Sequence, residues 1–149
     1  ISLLESQKPQ PEHRTLRHGE LLEDVPRLAP LGGLTKLHAS HVVLKPGAWS
    51  SQRHWHEDED ELLVMLAGEA VLIEDEGRTV LGPGDVCAWP KTMQNGHHLI
   101  NESDADCVFI AISAGNEDGA GGYSDIDMMF DAHGYHRKDG TRYPSKRTP

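Results

Sequence analysis

Cysteine is nearly missing from this sequence. Cys87 and Cys107 are the whole supply in 149 residues, too few for a disulfide framework or a cysteine-rich zinc site. Both sit in strand-like stretches and read as free thiols of a reducing compartment, which makes the cytoplasm the expected location. Bases are scarce as well: 14 Lys and Arg stand against 24 Asp and Glu, a formal charge of −10. Nucleic-acid binding needs clustered cations to neutralise phosphate, so the composition argues against such a partner. No run of 18 apolar residues exists, which excludes a membrane-spanning helix. Residues Ile1–Ser6 are too short and wrongly flanked for a signal peptide. A P-loop, a G-x-G-x-x-G after a strand, a G-x-S-x-G and an H-E-x-x-H are all missing, so nucleotide-binding, triad-hydrolase and zincin readings have no motif to rest on.

What is present is alternation. From Leu34 to Ser113, eight short apolar stretches are separated by Gly, Pro, Asp and Asn. That rhythm predicts an all-β sandwich or barrel. No helical pattern of 10–15 residues lies between the stretches, which disfavours a βαβ sheet. The expected organisation is an N-terminal arm over residues 1–33 packing on the barrel, a β-barrel over 34–115 and a C-terminal tail over 116–149. Within the arm, Leu16–Leu28 has room for one helical turn. The first part of the tail is expected to pack on the barrel and its last residues to be loose.

Ten histidines are the conspicuous excess. His54 and His56 are two apart, so a strand puts both imidazoles on one face and Trp55 on the other. Two neutral imidazoles on one face suit a divalent cation. An acidic turn follows, and Glu61 opens the next apolar stretch. A hairpin there would bring Glu61 back beside the pair as an oxygen donor, with Glu59, of the same parity, as its rival. His97 starts a later stretch and is the expected third imidazole. A shell of His54, His56, Glu61 and His97 with two open positions suits one Fe, Mn, Ni, Co or Zn ion. His98 must face the other way, as a structural or surface residue.

Met65 shares the parity of Glu61 and is expected to line the cavity as packing. Trp49, Trp55 and Trp89 are candidates for an aromatic wall, Trp55 more for sheet packing or a dimer contact. Asn101 is expected to make a structural hydrogen bond at a strand end. Candidate proton-handling groups are Gln52 (through a water), Glu59 and, in the tail, Tyr123, Tyr135, His133 or His136. Glu57–Glu61 lacks the spacing and glycine of a calcium loop and reads as a solvated turn.

Gly47-x6-His54-x-His56-x4-Glu61-x6-Gly68 resembles the first motif of the cupin superfamily, with one extra residue before the first His. Gly84-x5-Pro90 followed by His97-x3-Asn101 resembles the second. Between Pro90 and His97 the chain departs from the family pattern: the loop is two residues longer, and Thr92 stands where Gly is usual. The resemblance spans residues 40–113 and is that of a small, single-domain cupin. It implies a double-stranded β-helix, or jelly roll, with a metal inside. The reactions it admits include sugar-phosphate-isomerase-like, dioxygenase and lyase chemistry on a small oxygen-bearing metabolite. The alternative is a non-catalytic sensor or sugar-binding domain. A cysteine-dioxygenase-like reading is weaker, because those cupins usually lack the Glu ligand. A phosphate subsite would want a convergent cation. Arg53 has the wrong parity, leaving Lys91. Apolar outward positions around Leu62, Val64 and Leu66 predict a homodimer formed by sheet pairing.

Overall fold

The structure, a computed structural model, describes residues 33–116 and 118–144. The expected arm, its helical turn and the last five residues lie outside that range, apart from Gly33. The described residues form eleven strands: β1 (His38–Leu44), β2 (His54–His56), β3 (Glu59–Ala67), β4 (Ala70–Glu74), β5 (Gly77–Leu81), β6 (Val86–Trp89), β7 (His98–Ile100), β8 (Cys107–Gly115), β9 (Gly121–Tyr123), β10 (Met129–Asp131) and β11 (Gly134–His136). All pairings are antiparallel. One sheet runs β1-β8-β3-β6. Facing it are β5-β4-β7 and β11-β10-β9-β2, joined by isolated bridges from Trp49 to Ile100 and from His54 to His97. This is the expected all-β jelly roll. No helix among the described residues is long and apolar enough to cross a membrane.

The period of two decides the interior. Leu63 and Met65 on β3, Ala70 and Leu72 on β4, and Cys107 and Phe109 on β8 point inward into one core with Leu44, Leu81, Trp89 and Leu99. Their alternate neighbours point to the opposite face of each sheet, where Val71 and Val108 are also covered. Met65 is buried in this core and does not line the cavity described below. Its parity was right, but it sits deeper than Glu61.

One of the eight apolar stretches, Trp49–His56, shortens to β2 alone. Ser50 donates its N–H to the Leu99 carbonyl at 2.8 Å, and its hydroxyl accepts the Leu99 N–H at 2.9 Å. A side chain thus replaces a rung of the ladder, and the backbone from Ser50 to Arg53 bends instead of extending. The tail is more ordered than the sequence suggests. β9 pairs with β2 in the register His54–Tyr123, Trp55–Gly122 and His56–Gly121, and β10 and β11 continue the sheet.

Candidate metal centre

β2 is only three residues long, yet its parity sets the site. Trp55 turns to the face opposite the histidines and is buried against Gly122, where a Cβ would lie 2.6 Å from Met129 Sδ and 3.0 Å from Trp55 Cζ2. Trp55 is therefore sheet packing within this chain and offers little surface for a dimer contact. His54 and His56 face inward with ring centroids 5.1 Å apart. Glu61 projects from the inward parity of β3. One ligand atom each from His54, His56 and Glu61 fall within 4.8 Å of one another. His97, just before β7, is not a member of that cluster but touches it: its Nε2 is 3.1 Å from Glu61 Oε2, and its ring lies 5.9 Å from that of His54. Glu61 Oε1 is 3.6 Å from His56 Nε2.

The far sides of the imidazoles are held by acceptors. His54 Nδ1 donates to the Gln52 carbonyl at 2.9 Å, and His97 Nδ1 donates to the Asn95 carbonyl at 3.3 Å. A carbonyl only accepts, so each Nδ1 carries its hydrogen, and in the neutral ring each Nε2 is left as the inward acceptor. His56 Nδ1 has Glu59 Oε2 at 3.8 Å. Such partners fix tautomer and ring orientation in metal sites. Burial holds the His54 pKa below its ordinary value, more than offsetting the bond to Gln52 and the charge of Glu61. For Glu61, burial pushes upward, but the His97 hydrogen bond and the three imidazoles outweigh it, and the carboxyl ends below its usual value. At 3.1 Å from Glu61 Oε2, His97 Nε2 either carries a proton that it donates to the carboxylate or turns a lone pair toward an ion shared with it.

His54, Glu61 and His97 line an open cavity of about 320 Å³ in the barrel, together with Ser40, Ser50, Leu63, Trp89 and Phe109 among others. Trp89 is the aromatic wall. It stacks on His97 at 3.7 Å and 5°, while its indole N–H donates to Glu74 Oε1 at 2.7 Å. Trp49 is exposed and meets His98 edge-on at 4.8 Å. His98 is buried, and its Nδ1 donates to the Ser51 carbonyl at 2.8 Å, so it is structural and not a surface residue.

A family model described as "Cupin domain" matches residues 40–113. No curated protein sequence matches. Among solved structures, a sugar phosphate isomerase from a cupin superfamily, of Silicibacter pomeroyi, is 38% identical with a TM-score of 0.75, over 81% of this chain and 80% of that one. The chain belongs to the cupin superfamily. A Salinispora arenicola cupin 2 conserved barrel domain protein is 26% identical with a TM-score of 0.55, over 69% of this chain and 87% of that one. A protein of Acidithiobacillus ferrooxidans shares the fold at 18% identity and a TM-score of 0.72, over 82% and 80% of the two chains.

In this cupin the motif glycines answer to backbone geometry. Gly47 has φ +77° and donates its N–H to the Asn101 carbonyl at 2.7 Å, so the first residue of one motif is bonded to the last of the other. Gly68 has φ +71°, and a Cβ there would meet the Asp106 carbonyl oxygen and come within 2.9 Å of Cys107 Cα. Thr92, where the family usually has glycine, keeps the left-handed conformation at φ +72°. Its N–H donates to the His56 carbonyl at 3.1 Å, which ties the longer loop to the histidine strand.

The other sequence candidates fall outside the cluster or at its edge. Gln52 is exposed and contributes its backbone carbonyl; its strand parity does not apply, because β2 begins at His54. Glu59 lies behind His56, away from Glu61. Arg53 is tied to Asp75, to Asp125 at 3.1 Å and to the Gly96 carbonyl at 2.9 Å. Lys91 is exposed. Both cysteines are free, and burial pushes both thiols up, for Cys87 with help from Glu74 and Asp85. Sequence reading named Tyr123 and Tyr135 as tail candidates but missed Phe130 and Asp131. All four, from the tail strands, border a second cavity on the other side of His54 and His56.

Proposed function

We propose that this cupin is a metal-dependent enzyme that isomerises a small metabolite bearing a carbonyl and neighbouring hydroxyls. The observation that carries the reading is the gathering of His54, His56 and Glu61 ligand atoms within 4.8 Å at the edge of a cavity in the barrel. Their chemistry fits a divalent transition ion: two borderline nitrogen donors with lone pairs aimed inward and one ionised oxygen donor. His97 is the fourth proposed donor. The ion would supply Lewis-acid polarisation of a substrate oxygen. Glu61 balances charge at that point, Gln52 and Asn95 hold two of the rings by their carbonyls, and Trp89 keeps the His97 ring in place. The isomerase class is favoured over dioxygenase or lyase chemistry by the 38% identity to the Silicibacter pomeroyi protein. We place the protein in the cytoplasm, on its free thiols.

A second reading is a non-catalytic binding domain. One observation favours it: among the described residues, Glu61 is the sole carboxylate lining the inner cavity, so a carboxylate base separate from the proposed ligands is not at hand there. Elemental analysis of protein purified without chelating resin tests the metal. About one ion per chain is expected, falling sharply in His54→Ala and His97→Ala. Native protein that neither carries nor takes up micromolar Mn, Fe or Zn would end the proposal. Loaded protein that binds aldoses and ketoses but never interconverts them would select the binding domain.

A further inference from the structure

The second cavity, about 390 Å³, is built largely by residues beyond 113, where the cupin-domain match stops. Strand register explains its wall. His54 pairs with Tyr123, His56 with Gly121, Gly121 with Phe130 and Phe130 with Tyr135. Directly paired residues share a face, so one strip of sheet carries the two histidines, Tyr123, Phe130 and Tyr135. Ring centroids step along it: His54 to Tyr123 at 6.0 Å, His56 to Phe130 at 5.3 Å and Tyr123 to Phe130 at 5.9 Å. Burial, and after it the neighbouring Tyr135, raise the Tyr123 phenol above its ordinary pKa. Tyr135 is 53% exposed and presents its ring to the chamber. Asp118 and Asp131 complete the lining.

Cations are withheld from this chamber. Arg142 grips Asp131 with two bonds of 2.8 and 2.7 Å. Arg137 reaches Asp127 at 3.4 Å and lies over Tyr143. Lys138 Nζ donates to the Ser124 carbonyl at 3.5 Å, and Arg53 is tied as described above. Among the described residues, neither cavity is lined by Lys or Arg. A phosphate dianion in the outer chamber would meet Asp118 and an Asp131 already paired with Arg142, with no Lys or Arg among the lining residues to donate charge-assisted bonds. Phenol hydroxyls both donate and accept, carboxylates accept, and an aromatic face packs against C–H groups. That set suits alcohol groups on a carbon skeleton.

We propose that the C-terminal chamber holds the hydroxyl-bearing, non-reacting part of an unphosphorylated sugar or polyol, with Tyr123 and Tyr135 as its hydrogen-bonding pair and Phe130 as its apolar platform. This rests on the reading of the histidine cluster as the reacting end. The probes are D-ribose and D-fructose against D-ribose 5-phosphate and D-fructose 6-phosphate. Binding is read by calorimetry and ligand saturation-transfer NMR on the full chain as purified, with metal content measured in parallel. Free sugars are expected to bind about tenfold more tightly than their phosphates. Tyr135→Phe, which keeps the ring and the fold, weakens them about fivefold through one lost hydroxyl contact and leaves metal content unchanged. Phe130→Ala weakens them further. Sugar phosphates that bind as well or better, free sugars that do not bind, or a Tyr135→Phe variant without effect would each overturn the proposal. Failure of the metal reading shows separately, as sugar binding without metal.

Discussion

Asn101 is fully buried, and replacing it with alanine would test whether it is a strut or part of the site. Its Nδ2 donates to the Leu44 and Ala105 carbonyls, both at 2.8 Å. Its Oδ1 accepts from the Ser103 N–H at 3.0 Å and the Ser103 hydroxyl at 2.7 Å. Alanine removes all four bonds. The Leu44 carbonyl loses a partner in the interior, which costs about 1–3 kcal/mol. Ser103 and Ala105 lie where water reaches them, so their three bonds cost about 0.5–1 kcal/mol each. Together these make about 2.5–6 kcal/mol. In a two-state domain of this size that lowers Tm by about 10 °C. Urea and thermal melts of Asn101→Ala measure it, with metal content per folded molecule as the second readout. A loss below about 1 kcal/mol would refute the bond-by-bond reasoning. Normal stability with lost metal would refute the structural role itself.

Thr92→Gly relieves a β-branched residue at φ +72°. The strain of about 1–3 kcal/mol is offset in part by the greater freedom of glycine in the unfolded chain, so a rise in the urea midpoint worth about 1 kcal/mol is expected, and a fall would contradict the strain. In metal-stripped protein, stability should decline as pH drops below 6.5, because the unfolded chain protonates His54 where the folded chain resists. Glu61 extends the decline: its contribution is present above pH 4.5 and is lost as pH falls through its lower folded value. Glu61→Gln should remove that lower limb, and a flat profile from pH 7 to 4 would sink the account. The outward face of β3 and β6 presents Leu66 at 46% and Val86 at 57% exposure beside half-buried Leu62 and Val64. Light scattering should give a dimer of 16.5 kDa chains that Val86→Glu dissociates; a native monomer would dismiss it.

The parts of this fold that the sequence announces are those where a residue answers to its own backbone. Gly47 and Gly68 occupy left-handed turns, and the alternating Leu63 and Met65 face one core. Such needs are local, so they recur at fixed spacing, and the histidine pair can be read against them. The outer wall answers to distant partners. Gly121 and Gly122 look like breakers, yet they lie within β9, because Trp55 and Phe130 fill the space their side chains would need. The chain before β2 does not extend from Ser50 because the Leu99 N–H, far along the chain, bonds the Ser50 hydroxyl. Thr92 shows the converse: its conformation is glycine-like while its side chain gives no sign of it, since the His56 carbonyl holds its N–H from outside the loop. Inward-facing donors are thus legible one strand at a time. What surrounds them becomes visible only once strands far apart in the chain are laid side by side, and it is that surround which distinguishes one cupin substrate from another.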